Sequence, residues 1–467
     1  MTHQDTIVAL ATPPGAGAVA IIRVSGNNAI TIASSLFESI SNKKLTYQKS
    51  HTIHLGHIVD GDKVIDQVLA SIFIAPHSYT GENVVEIACH GSNYIQQEII
   101  QLFIRNECRI ANPGEFTLRA FLSGKIDLSQ AEAVADLIAS DNKAAHQLAI
   151  KQMRGGFSNE IKQLRDELMN FASLIELELD FAEEDVAFAD RERFNELLNN
   201  IESVLKRLID SFAVGNVIKS GIPVAIIGEP NVGKSTLLNA LLNEDRAIVS
   251  AIAGTTRDAI EDEISIGGIG FRFIDTAGIR DTEDVVESIG IKKTFEKIEQ
   301  AQVVIYLFDA EKFKFQSSKF SVEIEKIKNK YPQKPLVVIA NKVDQLSEGE
   351  IKTLDVTSSA IKKSRFLKLS AKQGHGVEEL KVTLSNFVNT GALRNDETIV
   401  TNTRHYDALL KALEEIKKVQ VGLSQGISGD LMAIDIRQAL YHFGEITGEI
   451  TSDELLGNIF ANFCIGK

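Results

Sequence analysis

The sequence VAIIGEPNVGKST occupies residues 224–236. Four apolar residues form a strand-like run, and the glycines after them let successive backbone N–H groups face a phosphate. Lys234 adds a mobile cation, and the hydroxyl of Ser235 can ligate Mg²⁺. The leucine-rich segment 237–242 predicts an amphipathic helix whose N-terminus points at the same phosphates. A strand before this loop and a helix after it predict an α/β nucleotide-binding domain.

Four downstream segments select the base and complete the site, and each follows a strand-like run, where the ligands of an open α/β sheet collect. These segments are GTTRD at 254–258, DTAG at 275–278, NKVD at 341–344 and SAK at 370–372. Thr256 can reach Mg²⁺ and the γ-phosphate, and Asp275 can lie beside the metal. The carboxylate of Asp344 can accept the N1–H and the 2-amino group of guanine, two donors that adenine lacks. The order of all five segments predicts a GTPase. The nucleotide-binding residues predicted from them are Asn231, Val232, Gly233, Lys234, Ser235, Thr236, Thr255, Thr256, Asp275, Thr276, Ala277, Gly278, Asn341, Lys342, Asp344, Ser370, Ala371 and Lys372.

The group that activates water is less evident. Small Ras-like GTPases carry a glutamine after the Asp-x-x-Gly motif to orient the attacking water, whereas Ile279 stands here. Polar candidates nearby are Arg257, Asp258 and the acids of segment 281–287, although such acids also suit a solvated loop. The amide oxygen of Asn231 could ligate a monovalent cation beside the phosphates or stabilise the loop by a hydrogen bond, and residue chemistry leaves both open.

Composition bounds the remaining possibilities. The 467 residues are 44% hydrophobic, which is enough for about three domains with sizeable cores. The N-terminus lacks the basic region and cleavage pattern of a signal peptide, and no apolar run is long enough to span a membrane. Three scattered cysteines exclude a disulfide framework, so we expect a cytoplasmic protein. A net charge of −14 predicts that any RNA partner meets a local basic patch or a second protein.

The N-terminal quarter reads as mixed α/β. Its predicted strands are 6–11, 18–24, 51–59, 64–74 and 83–89, and its predicted helices are 28–39 and 92–105. From Ser129 the pattern becomes helical, and Ser129 with Glu132 predicts a capping box. By residue chemistry alone, Arg23 and Glu86 are ordinary surface residues at strand ends.

Helical patterns lie on both sides of the nucleotide-binding segments. A seam at spacings of three and four is formed by Ile161, Leu164, Leu168, Phe171 and Ile175. A further helix is predicted to end near Phe212, with Gly215 and the segment 221–223 marking the start of the nucleotide-binding domain. Helices are predicted again at 377–388 and 406–420. The nucleotide-binding domain is therefore expected to be inserted into a helical domain whose two parts share one core.

Motifs along the whole chain carry a family resemblance. They are DTIVA at 5–9, ATPPG at 11–15, YTGE at 79–82, NPGEF at 112–116, AEA at 131–133, the guanine-nucleotide motifs, and FCIGK at 463–467. With these motifs the chain resembles the MnmE (TrmE) family of tRNA modification GTPases from end to end. The resemblance implies an α/β plus α fold: an N-terminal α+β tetrahydrofolate-binding and dimerisation domain, a discontinuous helical domain, and an inserted Ras-like P-loop GTPase domain. The corresponding boundaries are 1–119 for the first domain, 120–216 and 379–467 for the two helical parts, and 217–378 for the GTPase domain.

The resemblance also implies a reaction. Family members act as homodimers with a flavoprotein partner, MnmG, which carries FAD and NADH. Together they install an aminomethyl-type (carboxymethylaminomethyl) group at C5 of the wobble uridine of certain tRNAs. The one-carbon unit comes from 5-formyl- or 5,10-methylene-tetrahydrofolate, and the tRNA is expected to be contacted mainly through the partner.

Residue roles follow from the same resemblance. It makes Arg23, Glu86, Lys125 and Lys467 the folate contacts, with Cys464 near them in a chemical or structural role, and it has the tail complete the pocket across the dimer. It assigns Mg²⁺ to Ser235 and Thr256, and K⁺ to Asn231 with the carbonyls of Ser250, Ile252 and Thr255, so that Ser250 joins the nucleotide-binding set. Glu287 takes over the water-ordering role, which gives Glu287, Arg257, Asp258 and Cys464 as the candidate catalytic residues.

Two other classes of protein fit parts of the sequence. An Era-type ribosome-assembly GTPase would share the motifs of residues 228–372, but it should carry a basic RNA-binding appendage, whereas the helical flanks here are acidic. A purely regulatory binding module would need no hydrolytic residues. Binding of 5-formyltetrahydrofolate would distinguish the first interpretation from both, because a ligand that binds only the native state raises the melting temperature.

Overall fold

The computed structural model describes residues 5–180, 191–245, 262–274, 295–358, 365–387, 398–461 and 463–466. These residues form two compact units. The first comprises Met1–Ile138, Ile150–Leu205 and Asp407–Lys467, and the second comprises Ala139–Ala149 and Lys206–Tyr406. The division into four segments made from the sequence stays a prediction.

Both units contain helices and strands. The helices are α1 Ala29–Leu36, α2 Asn93–Arg105, α3 Glu115–Leu122, α4 Leu128–Ile138, α5 Lys143–Met153, α6 Gly156–Asp180, α7 Arg191–Ser220, α8 Lys234–Asp245, α9 Phe313–Lys330, α10 Glu348–Ser358, α11 Val377–Asn386, α12 Thr403–Ser424, α13 Gly429–Thr447 and α14 Asp453–Phe460. Short 3₁₀ turns lie at Leu45–Tyr47 and Val343–Gln345.

The first unit contains a seven-stranded sheet. Its strands are β1 Thr6–Leu10, β2 Val19–Ser25, β3 Phe37–Ser39, β4 Thr52–Asp60, β5 Lys63–Phe73, β6 Val84–His90 and β7 Cys108–Ile110. The strand order is β3-β4-β5-β6-β2-β1-β7, and every pair is antiparallel except β1 with β7. Alternating apolar residues on β2, β5 and β6 pack with α1 and α2, so one face of the sheet is buried. The β2–β6 register sets Arg23 directly opposite Glu86.

The helices of the first unit pack through the predicted seam. Ile161, Leu168 and Ile175 on α6 are fully buried, and α6 packs against α13. Phe171 of α6 stacks on Phe194 of α7, with ring centroids 4.7 Å apart. Helical residues from before and after the nucleotide-binding segments therefore pack against each other in the first unit.

The second unit contains a six-stranded sheet. Its strands are β8 Ile222–Ile227, β9 Asp262–Ile266, β10 Ile269–Phe273, β11 Val303–Asp309, β12 Leu336–Asn341 and β13 Arg365–Lys368, in the order β13-β12-β11-β8-β10-β9. All pairs are parallel except β9 with β10. Apolar clusters cover both faces, as expected for a largely parallel sheet. Because β8 has β10 on one side and β11 on the other, its carboxyl end lies at the point where ligands bind in such sheets.

Three local predictions from the sequence are wrong. The helix predicted at 28–39 ends at Leu36, because Phe37–Ser39 pairs with β4 instead. The capping box is formed by Asp127 and Gln130 rather than by Ser129 and Glu132: the Gln130 N–H donates to Asp127 Oδ1 (3.0 Å), and the Asp127 N–H donates to Gln130 Oε1 (2.9 Å). The third error concerns Gly215, where no break occurs and α7 continues to Ser220. A Cβ at Gly215 would lie 2.0 Å from the Val400 carbonyl oxygen, so this glycine serves close packing.

Candidate functional site

The phosphate-binding loop links β8 to α8. Gly228, Asn231 and Gly233 adopt positive φ values of 150°, 63° and 96°, which curl the loop. The Lys234 ammonium group turns back onto the loop and donates to the carbonyl oxygens of Gly228 and Glu229, both at 2.9 Å. Burial, with a smaller contribution from Lys297, lowers the pKa of Lys234. A half-buried cation whose hydrogen-bond partners among the described residues are two backbone carbonyls is suited to receive an anion.

The other loop residues differ in accessibility. Asn231 is exposed, so its amide can meet a ligand, whereas Val232 is buried and anchors the loop. Ser235 is half-buried in the first turn of α8, and Thr236 is exposed. Because the first N–H groups of a helix have no partner within that helix, the N-terminus of α8 can meet an anion beside Lys234 and Ser235.

Asn341 joins three of the predicted segments. Its side-chain amide donates to the carbonyl oxygen of Val232 (2.8 Å), and its side-chain oxygen accepts from the Ala371 N–H (3.0 Å). Asn341 is buried at the end of β12, and both groups of its amide are satisfied. The residue therefore fixes the phosphate loop and the segment 370–372 to the same strand end.

The remaining base-recognition residues lie around Asn341. Lys342 has a left-handed backbone (φ 64°), and its ammonium group forms a salt bridge with Asp309 Oδ2 at 2.7 Å. Asp344 is exposed on the adjoining 3₁₀ turn, and Ser370 is buried while Lys372 is exposed. The structure thus brings together residues 231–236, 341–344 and 370–372, as the sequence predicts.

Several predicted site residues lie outside the described residues. These are Ser250, Ile252, Thr255, Thr256, Arg257, Asp258, Asp275, Thr276, Ala277, Gly278, Ile279, Glu287 and Lys467.

A second set of predicted residues meets in the first unit. The Arg23 Nε donates to Glu86 Oε1 at 2.8 Å, and its Nη1 donates to the carbonyl oxygen of Gly466 at 3.3 Å. The guanidinium lies over the rings of Tyr79 and Phe116, 5.4 and 5.5 Å from their centroids. A strand residue and the C-terminal tail, 443 positions apart, are therefore in direct contact.

The tail reaches this place within its own chain. Phe460 and Phe463 pack with Leu128 in one apolar cluster, and the Gly114 N–H donates to the Cys464 carbonyl (3.3 Å). Gly466 has φ 94°, and a Cβ there would lie 2.1 Å from the Leu10 carbonyl oxygen, so only glycine fits. The expectation that the tail would reach this pocket across a dimer is wrong for the contacts described here.

The three cysteines differ in accessibility. Cys464 is exposed, whereas Cys89 and Cys108 are buried. Burial, aided by Asp66, raises the pKa of the Cys89 thiol to about 11, and burial with Glu107 raises that of Cys108 to about 12. The two buried thiols are therefore unreactive, and Cys464 is the one that a solvent-borne reagent can reach.

Lys125 lies at a neighbouring cleft. Its ammonium group donates to the Pro76 carbonyl (2.7 Å), and the cleft has a volume of about 410 Å³. The lining residues are His51, Phe73, His77, Ser78, Tyr79 and Lys125. Because Tyr79 contacts both this cleft and the guanidinium of Arg23, Lys125 and Arg23 border one continuous region.

A buried ion-pair network supports the same unit. Arg119 is 2% exposed and contacts Asp5, Glu82 and Glu115. Arg109 binds Asp5 and both carboxylate oxygens of Glu115, one of which it shares with Arg119. Burial alone would raise the pKa of Glu115, but the hydrogen bonds from Arg109, the Asn112 N–H and Arg119 outweigh it and lower the pKa. Each carboxylate of this network is paired with at least one arginine, which indicates a structural role.

Two functional candidates were missed from the sequence. Asp309 forms a salt bridge with Lys342. The sequence could have indicated this residue, because it is the one charged residue of β11 and ends that strand. Tyr79 faces Arg23, but a single aromatic residue in a loop gives no signal until its partner is known. Among the described residues, no group of three His, Cys, Asp or Glu side chains is arranged to hold a metal. None of the described helices has the length and apolarity needed to cross a membrane.

Comparison with known proteins covers the whole chain. A family model described as the MnmE helical domain matches residues 128–464, and one described as the N-terminus of the GTP-binding protein TrmE matches residues 6–125. The chain is 72% identical to the tRNA modification GTPase MnmE of Flavobacterium psychrophilum, with 100% of both chains covered. It is 53% identical to the protein of the same name from Bacteroides thetaiotaomicron, again over 100% of both chains.

Solved structures are less similar. Translation elongation factor SelB from Methanococcus maripaludis, in complex with a GTP analogue, matches with a TM-score of 0.27 and 19% identity, covering 36% of this chain and 34% of that chain. This similarity is too low to support a conclusion.

Proposed function

The chain belongs to the MnmE family of tRNA modification GTPases, and we propose that it uses a tetrahydrofolate one-carbon unit to build a carboxymethylaminomethyl-type group at C5 of the wobble uridine. It acts with a flavoprotein partner, MnmG, which supplies FAD and NADH. GTP hydrolysis takes place at the loop formed by residues 228–236, and the one-carbon chemistry takes place near Arg23.

The observation that carries this proposal is the contact between Arg23 and the C-terminal tail. A folate has a pteridine ring that needs donors and acceptors and a glutamate tail that needs cations. Glu86 can accept from the ring, while Arg23, Lys125 and the tail residue Lys467 supply positive charge. Tyr79 adds an aromatic face beside the cleft at Lys125. The residues present therefore match the chemistry of a folate, with exposed Cys464 within the same region.

Deleting Cys464–Lys467 tests the proposal. We expect the deletion to abolish the modified wobble nucleoside in cellular tRNA, measured by nucleoside mass spectrometry, while basal GTP hydrolysis continues, because the nucleotide motifs lie between residues 228 and 372. Wild-type folate affinity in the deletion, measured by calorimetry, would contradict the shared site. The variant Cys464→Ser separates a chemical role of the thiol from packing of the tail, since it leaves the Gly466 contact in place.

For hydrolysis, we propose that Mg²⁺ is held by the hydroxyls of Ser235 and Thr256 and that K⁺ is held by Asn231 with the carbonyls of Ser250, Ile252 and Thr255. The exposed left-handed Asn231 in the phosphate loop supports the K⁺ assignment, because its amide is accessible to a cation beside the phosphates. Each cation would stabilise negative charge that develops on the phosphates, as an arginine finger does in other GTPases.

Replacing K⁺ by Na⁺ at constant ionic strength should slow GTP turnover sharply. Asn231→Ala should abolish the difference between the two salts. Equal turnover of the wild-type protein in K⁺ and Na⁺, or a K⁺ response that survives Asn231→Ala, would exclude this assignment.

We further propose that Glu287 orders the attacking water, with Arg257 and Asp258 as neighbouring polar groups, because Ile279 cannot orient water. Glu287→Ala should reduce turnover about 10²- to 10⁴-fold with GTP affinity retained. A parallel loss of affinity would make Glu287 structural, and unchanged turnover would move the role to Asp258.

The assembly we propose is a cytoplasmic homodimer that binds MnmG. Exposed apolar residues on β5 support self-association: Val64 is 56% exposed and Leu69 is 44% exposed. The ribosome-assembly alternative is set aside, because relatives named as tRNA modification GTPases match over the full chain.

A further inference from the structure

One surface of this acidic protein is locally basic. Residues 39–59 contain three lysines and three histidines and no Asp or Glu, although 63 of the 467 residues are acidic and a segment of this length would carry about three. The segment links β3 to β4 through the 3₁₀ turn Leu45–Tyr47, so it lies at the edge of the first sheet. We call residues 39–59 the basic edge.

The cations of the basic edge are available to a ligand. Lys43, Lys44 and Lys49 are exposed, and none of the salt bridges among the described residues involves them. Burial and then Lys43 lower the pKa of His54, so this imidazole is neutral near pH 7 and the lysines carry the charge. His54 is also occupied, because its Nε2 lies 2.8 Å from the hydroxyl of Thr52. Unpaired, spread ammonium groups suit an extended polyanion better than a small one.

The basic edge encloses an open cleft of about 660 Å³. Its lining residues are Ile40, Ser41, Lys43, Tyr47, Gln48, Lys49, Thr52, Ile53, His54 and Leu55, none of which is acidic. Tyr47 is 83% exposed, an unusual state for a large aromatic side chain. Exposed aromatics beside lysines are how proteins bind single-stranded RNA, because unpaired bases stack on the ring while cations follow the phosphates.

This cleft adjoins the cleft at Lys125. His51, which lines the latter, lies between Lys49 and Thr52, which line the former. The backbone between the two clefts is held in place by two hydrogen bonds. The His51 N–H donates to the Ile72 carbonyl (2.7 Å), and the Ile74 N–H donates to the Ser50 hydroxyl (3.0 Å). A strand bound along the basic edge would therefore lead towards Tyr79 and Lys125, beside Arg23.

We propose that the basic edge binds the tRNA substrate directly, with Lys43, Lys44 and Lys49 on the phosphates of an unpaired loop and Tyr47 stacked on one of its bases. The proposal deepens the tRNA modification function and rests on it. It assigns to this chain an RNA contact of its own, whereas the sequence predicts that tRNA is contacted mainly through the partner. A second copy of this chain, whose surface is acidic overall, is the competing occupant.

The test measures binding of a fluorescein-labelled anticodon stem-loop RNA to the full chain, without the partner, at salt concentrations from about 50 to about 200 mM. We expect K43E/K49E to weaken binding roughly tenfold and to reduce the slope of log affinity against log salt by about 1.4, because each phosphate contact on a single strand contributes about 0.7. Tyr47→Ala should weaken binding about tenfold with an unchanged salt slope, since stacking is not ionic.

The matched control is K411E/K417E, which makes the same charge change at two exposed lysines of α12. It should bind like the wild type, and an equal loss in this control would reduce the effect to net charge and overturn the proposal. Undetectable binding by the wild type at low salt, or wild-type binding by K43E/K49E, would also overturn it.

Sedimentation of the same variants separates RNA from the competing occupant. If K43E/K49E dissociates into monomers, the basic edge is a contact between copies and the proposal is wrong. Nucleoside analysis of tRNA keeps this test distinct from that of the proposed function. If only the basic-edge proposal is wrong, the wild-type chain still restores the modified nucleoside to the tRNA of a deletion strain. If the proposed function is wrong, the wild-type chain does not restore it.

Discussion

The phosphate loop of the second unit and the Arg119 network of the first unit use charge in opposite ways. Lys234 has only backbone carbonyls as partners within the described residues, and burial lowers its pKa. Arg119 is more deeply buried, yet it is surrounded by Asp5, Glu82 and Glu115. A buried charge is stable when it is paired and hydrogen-bonded, and an incompletely paired one is stabilised by a ligand. The difference therefore separates a binding site from a scaffold.

Arg23 is intermediate between the two. Glu86 pairs with it, but the Gly466 carbonyl and two aromatic faces complete its surroundings, and its side chain is 16% exposed. A partly paired and accessible cation can bind a ligand and release it again, as a binding site requires. Mutations in these environments test this ordering.

Arg119→Met should have the largest effect. It leaves Glu115 buried without one of its cations, and removing one partner of a buried ion pair costs about 3–5 kcal/mol of unfolding free energy. Urea denaturation followed by circular dichroism measures the loss. Arg105→Met is the matched control, because Arg105 pairs with Asp60 at the surface, where such pairs contribute about 0–1 kcal/mol. Equal losses in the two variants would contradict a structural role for the network.

Lys234→Ala should act on the ligand rather than on the fold. Loss of two charge-assisted hydrogen bonds to phosphate should weaken GTP binding about a hundredfold, measured with a fluorescent GTP analogue. The melting temperature without nucleotide should hold or rise, since the lysine is a partly buried cation. Lys352→Ala, an exposed lysine on α10, should change neither quantity. A large loss of stability in Lys234→Ala would place this lysine with Arg119 as a scaffold residue.

The same contrast explains what the sequence could predict. The phosphate loop and the segments 341–344 and 370–372 are short, local motifs at the ends of parallel strands, so their residues meet once the sheet forms, and Asn341 ties them together as expected. The helix seam on α6 was also predictable, since burial follows its periodicity.

Contacts between distant residues were not predictable from residue chemistry. Nothing local indicates that the carbonyl of Gly466 meets Arg23, and the resemblance alone placed them at one site. The continuation of α7 through Gly215 depends on close packing with Val400, which a glycine in isolation does not reveal. Asp127 replaced Ser129 in the capping box because α4 begins at Leu128, so that Ser129 lies inside the helix and its hydroxyl donates to Asp127 Oδ1.

Asn341→Ala should have a smaller effect than Lys234→Ala. It leaves the Val232 carbonyl and the Ala371 N–H without their partner, and each unsatisfied group costs about 1–3 kcal/mol unless water reaches it. We expect GTP binding to weaken at least tenfold and the second unit to lose stability as well. Lys342→Met, which breaks the salt bridge with Asp309, should weaken binding less, because Lys342 is partly exposed. A reversed order would make the Asp309 pair the main support of the base site.

Acidification should produce the smallest effect, and its sign follows from Glu115. Its pKa in the folded protein is lowered below the ordinary value of 4.5, because Arg109, the Asn112 N–H and Arg119 outweigh burial. A carboxyl group with a lowered pKa stabilises the fold fully above its unfolded pKa, and the contribution is lost as pH falls through the folded pKa. The first unit should therefore keep this contribution from pH 7 to about pH 5 and lose it below about pH 4.5, at about 1.4 kcal/mol for each unit of lowering.

Glu115→Gln tests this dependence directly, because the amide keeps the shape of the side chain and cannot titrate. The difference in unfolding free energy between wild type and Glu115→Gln should be constant from pH 6 to pH 5 and should shrink as pH falls below about 4.5. Glu107→Gln, an exposed neighbour, should show a small difference at every pH.

A wild-type advantage over Glu115→Gln that stays constant to pH 3.5 would mean that Glu115 still keeps its full contribution there. A difference that shrank already between pH 7 and pH 5 would mean that burial dominates over the arginines and raises this pKa. Glu115 would then be an incompletely neutralised charge, and the first unit would no longer contrast with the phosphate loop.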